Sequence, residues 1–97
     1  MELHIELVIQ KLTELSDWLG IGNVWGHKQR VDDAIKELSQ PDLSELKRRQ
    51  LKMLLSKKVL FHPKCLGDVA INDFGDGTNL AWQKYLNEIA DVCQENL

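Results

Sequence analysis

Ninety-seven residues, 43% of them hydrophobic and 28% charged, suffice for one domain with one core. Two Pro and six Gly exclude a low-complexity or disordered chain, and two cysteines are too few for the disulfide framework of a small secreted domain. The net charge of −3 is unevenly spread: residues 47–64 carry seven basic and no acidic side chains, between two acidic flanks. Such a segment invites intramolecular pairing as readily as an external anion.

The first element is predicted over residues 3–19. Ile5, Val8, Leu12, Leu15 and Leu19 repeat at spacings of three and four, which is one face of a helix. Gly20 follows as its C-terminal stop and GIGN (20–23) as a turn. Glu2 and Glu6 flank the first apolar residues with no basic stretch before them, so no signal peptide is expected. No apolar run approaches the ~20 residues of a membrane span, and a cytoplasmic protein is the expectation.

A second helix is predicted over 24–39, with Asn23 as its N-cap. Trp25, Val31, Ala34, Ile35 and Leu38 form its apolar side, while Asp32, Asp33, Lys36 and Glu37 lie mostly elsewhere. Pro41 ends it and opens a third helix over 41–58, where Leu43, Leu46, Leu51, Met53 and Leu54 face one way and Arg48, Arg49 and Lys52 the other. Residues 61–77, FHPKCLGDVAINDFGDG, break the periodicity and read as a long ordered loop, with DVAI as a short extended piece. A fourth helix over 79–95 carries Trp82, Leu86, Ile89 and Cys93, with Asp91 and Glu95 unfavourably near its C-terminal end. The expected fold is therefore all-α: a four-helix, bundle-like single domain spanning residues 1–97. Its core should bring together Leu12, Leu15, Leu46, Leu54, Leu86 and Ile89. Trp18, Trp25 and Trp82 read as core, Trp25 with the weakest claim because it stands at a helix start beside Gly26 and His27.

Chemistry-bearing patterns are sparse. His62 and Cys65 make one H-x-x-C pair, but a structural zinc site needs two such pairs. Asp68, Asp73 and Asp76 do not follow a calcium-loop spacing, and the position that should hold its glutamate is Lys84. No nucleophile elbow, phosphate-cradling loop or H-E-x-x-H is present. The reading is a binding protein with no catalytic residue, no metal and no cofactor, and with Cys65 and Cys93 as unlinked thiols. The basic third helix supports an alternative, a small nucleic-acid-binding regulator. No aromatic side chains interleave with that charge, and the chain as a whole is acidic.

One order of features narrows the function. Trp25, a helix containing RVDDAIKEL (30–38), a leucine-rich helix, CLGDVAI (65–71) and a final helix follow one another. This arrangement resembles small helical immunity-type proteins of bacterial polymorphic toxin and contact-dependent growth inhibition systems. In those proteins a loop with Gly and Asp followed by apolar residues precedes the last helix. Leu66, Gly67 and Asp68 stand in that place, while the glycine pair that often precedes the loop is replaced by His62-Pro63-Lys64. The resemblance implies a non-catalytic cytoplasmic protein that neutralises a cognate toxin by direct binding. Where the toxin is a nuclease with a positive cleft, an acidic face would compete with its substrate. Asp68, Asp73 and Asp76 are the expected partner-binding residues, with Asp32 and Asp33 as further contributors. No membrane and no small-molecule substrate are expected.

Overall fold

The computed structural model describes residues 5–62 and 79–97 of the chain. Within them lie four helices, α1 (Ile5–Ile21), α2 (Trp25–Leu38), α3 (Glu45–Leu54) and α4 (Asn79–Asn96), and no strand among the described residues. The all-α architecture follows from the apolar spacing. Val8, Leu12, Leu15 and Leu19 recur at four, three and four residues and are all buried, which gives α1 a continuous apolar stripe. Helices α2 and α4 both pack against α1. They add Val31, Ala34 and Leu38 from one side and Trp82, Leu86, Ile89, Ala90 and Cys93 from the other. Full burial of each large aliphatic side chain stabilises the fold by roughly 1.5–3 kcal/mol.

The α1–α2 junction differs from its sequence reading. Helix α1 continues through Gly20 to Ile21, and Asn23 adopts φ 59° instead of capping α2. The Asn23 N–H donates to Gly20 O (3.1 Å) and the Val24 N–H to Leu19 O (2.8 Å), the two-bond closure of a left-handed helix end. Asparagine tolerates that conformation better than most residues, so Asn23 takes the role expected of Gly20. Gly20 answers a different need, because a Cβ there would stand 3.2 Å from Lys28 Cε. Its missing side chain lets Lys28 cross over α1.

Helix α3 begins at Glu45, four residues later than Pro41 suggested. Residues 41–42 form a turn, and Ser44 is the N-cap, its Oγ accepting from the Lys47 N–H at 3.1 Å. A side-chain cap at Ser44 satisfies a free N–H that Pro41 cannot. The far end of α3 is closed from α4: Gln94 Nε2 donates to Lys52 O (2.8 Å) and to Leu55 O (2.9 Å), taking up carbonyls the helix leaves unpaired. The turn that follows is pinned by Leu60 N–H to Leu54 O and Phe61 N–H to Ser56 O. It turns Leu60 and Phe61 into the core, two residues that the sequence reading placed beyond the third helix.

The expected core is corrected on this helix. Leu12, Leu15, Leu86 and Ile89 are buried, but Leu46 is 68% exposed and Leu54 only half-buried. The apolar arc of α3 is broader than the stripe it buries. Leu51 and Leu55 meet the core, whereas Leu46 and Met53, turned roughly 140–180° away from them around the helix, point to solvent. Arg48 lies beside Leu51 on the wheel, and its Nε is buried with no hydrogen-bond partner among the described residues.

Candidate functional site

Of the five aspartates expected to meet a partner, Asp68, Asp73 and Asp76 lie outside the described residues. Asp32 and Asp33 sit side by side on α2 in different settings. Asp32 belongs to a clasp between α1 and α2. The buried Ser16 hydroxyl donates to Asp32 Oδ1, and Lys28 Nζ donates at 3.0 Å both to Ser16 Oγ and to Asp32 Oδ2. The Ser16 hydrogen bond, with Lys28 adding to it, holds the Asp32 carboxyl below its ordinary value against the opposing effect of burial. Asp33 is exposed, and Gln29 Nε2 donates to its Oδ1 at 3.1 Å.

The tryptophan reading is corrected at Trp25. Trp82 is buried and Trp18 packs half-buried against the core, but Trp25 is 60% exposed at the first residue of α2. Ile21, at the last residue of α1, is 54% exposed across the same turn. Residues four apart on a helix are surface neighbours, so Trp25, Gln29 and Asp33 form one stripe. The corner thus presents a large aromatic, an aliphatic and an oriented carboxylate. The position of Trp25 at a helix start, beside Gly26 and His27, was the sequence signal for this exposure. Burial, and then the charge of Arg30, lower the pKa of His27, which favours its neutral form.

Of the two thiols, only Cys93 falls among the described residues. Cys93 is a free, fully buried thiol that burial pushes up to about 12. Cys65 lies outside the described residues, as does His4, so the H-x-x-C pair is described only at His62. No group of three or more His, Cys, Asp or Glu able to hold a metal ion occurs among the described residues. Tyr85 donates its hydroxyl to Glu14 Oε1 at 2.9 Å, tying α4 to α1. Burial, reinforced by that bond, raises its pKa.

The basic segment forms a second surface. Three of its charges meet acids: Lys47 with Glu37 (2.8 Å), Arg49 with Glu45 (3.0 Å) and Lys57 with Asp91 (3.1 Å). Between α3 and α4 lies a groove of about 580 Å³ lined by Arg49, Lys52, Met53, Lys57, Lys58 and Ala90, among others. No described helix is long and apolar enough to cross a membrane. The chain was compared with protein-family models, curated proteins and solved structures, and it matches none of them.

Proposed function

We propose that this chain is a non-catalytic binding protein that neutralises a basic partner, a cognate toxin domain, by occupying it stoichiometrically. The observation that carries the reading is the exposed Trp25, set beside Ile21 and in line with Asp33. A large aromatic exposed on a rigid helix, with its neighbours fixed, is the side-chain type most enriched among interface anchors. Desolvating it against a partner is worth more than leaving it in water, which the fold alone does not do. On α2 Lys28, Arg30 and Lys36 balance Asp32, Asp33 and Glu37, so a basic partner follows from the outward Asp33 together with the acidic segment that precedes α4 in sequence. Asp33 is free to face outward, and Asp68, Asp73 and Asp76 add three carboxylates in sequence, complementary to a positive cleft. Asp32 acts through the clasp, holding α2 in register with α1 so that Trp25 and Asp33 keep one orientation. Cytoplasmic residence belongs to the same proposal.

The test is a titration of the purified chain against the toxin domain encoded beside it. Inhibition is expected to saturate at one equivalent, and Trp25→Ala with Asp33→Lys should abolish protection while circular dichroism remains unchanged. Inhibition at far below one equivalent would indicate an enzyme. A folded chain that neither binds nor protects would contradict the reading.

A further inference from the structure

We propose that the groove between α3 and α4 receives an acidic amphipathic helix of a second protein, independently of the α1–α2 corner. Three observations fix the chemistry of the occupant. Among the described residues the groove is lined by four cations, Arg49, Lys52, Lys57 and Lys58, against one acid, Asp91, which is already committed to Lys57 at 3.1 Å. Lys52 and Lys58 have no ion pair among the described residues, so uncommitted positive charge stands at the rim. Met53, 71% exposed, supplies apolar surface between these charges, and Leu46, seven residues earlier, extends it along the same face of α3.

The combination selects among ligands. Phosphates would satisfy the lysines and leave Met53 and Leu46 in water. Among the described residues lining the groove there is no aromatic on which a base could stack. A helix with an apolar stripe flanked by Glu or Asp satisfies both features at once, its stripe on Met53 and its carboxylates on Lys52 and Lys58. Methionine suits this role, because its unbranched thioether adapts to varied apolar partners. The walls are fixed from within. Gln94 bonds to Lys52 O and Leu55 O and sets the end of α3 against α4, and the Lys57–Asp91 pair joins the turn after α3 to α4. The groove is therefore formed before the occupant arrives, which lowers the ordering entropy of binding.

The experiment measures fluorescence anisotropy of a labelled synthetic helix on the full chain. The probe has leucines at i, i+3, i+4 and i+7 and glutamates on either side. Saturable binding is expected, weakened about tenfold or more by Met53→Glu and by the paired Lys52→Glu, Lys58→Glu, and unchanged by Asp33→Lys on α2. All substituted side chains are at least partly exposed, and circular dichroism checks that each variant folds. A scrambled probe of equal composition that binds equally well would overturn the proposal, since charge alone would then explain binding. So would a single-stranded oligonucleotide that binds more tightly and is lost with the same lysines. Sedimentation showing that the groove is covered by a second copy of this chain would overturn it as well.

Discussion

Replacing Ser16 by alanine removes two of the three contacts in the α1–α2 clasp and leaves only Lys28 to Asp32. A hydrogen bond to a charged group contributes about 1.5–3 kcal/mol when water is excluded. The Asp32 side chain is 43% exposed and Lys28 27%, so solvent replaces part of that interaction and brings the expected loss to about 1 kcal/mol. In a domain of this size such a loss lowers Tm by roughly 4–8 °C. The sign of the pH dependence follows from the depressed Asp32 pKa. Its contribution is fully present above the unfolded carboxylate value, roughly 4, and disappears as pH falls through the folded value. The gap between wild type and Ser16→Ala should therefore be widest at neutral pH and shrink in acid, below the unfolded carboxylate value of roughly 4. Urea unfolding followed by far-ultraviolet circular dichroism at neutral and acid pH measures it. A loss below about 0.3 kcal/mol, or one that persists unchanged in acid, would refute the clasp as a coupled charge network.

Two substitutions contrast the core with the misread face of α3. Leu86→Ala should cost about 2–5 kcal/mol, because Leu86 is buried between helices, whereas Leu46→Ala should change stability by no more than about 0.5 kcal/mol. Denaturant midpoints in the opposite order would mean that α3 turns its other face inward. In a Cys65→Ser background, Cys93 should resist a thiol-specific reagent at neutral pH until the protein unfolds, since burial holds the thiol protonated with a pKa of about 12. Stoichiometric labelling of the folded protein within seconds would contradict that burial.

The sequence carried the fold where periodicity and burial agree. In α1 the stripe of Val8, Leu12, Leu15 and Leu19 is narrow, so only one face can be the core, and the same holds for Trp82, Leu86, Ile89 and Cys93 in α4. It misled on α3, where five apolar residues spread over nearly half the circumference and periodicity cannot say which edge is buried. Tertiary context made that choice through Leu51 and Leu55 and left Leu46 and Met53 outside. Helix ends were ambiguous for a local reason. Pro41 and Ser44 are both competent starts, as Gly20 and Asn23 are both competent stops, and the hydrogen bonds that decide between them depend on neighbouring turns. The candidate site was only half legible. Asp32 and Asp33 were named as acids, but propensity does not reveal that one is clasped by Ser16 and Lys28 while the other lies in line with an exposed Trp25.

The central claim is that the α1–α2 corner grips a basic partner through Trp25 and is steered to it by charge. Stopped-flow binding to the cognate toxin domain, run across ionic strengths, tests it directly. Association should slow as added salt shortens the Debye length from its value of about 8–10 Å near physiological conditions. Trp25→Ala should leave association nearly unchanged and speed dissociation about tenfold or more. Association indifferent to salt, together with equal dissociation rates for wild type and Trp25→Ala, would contradict the account.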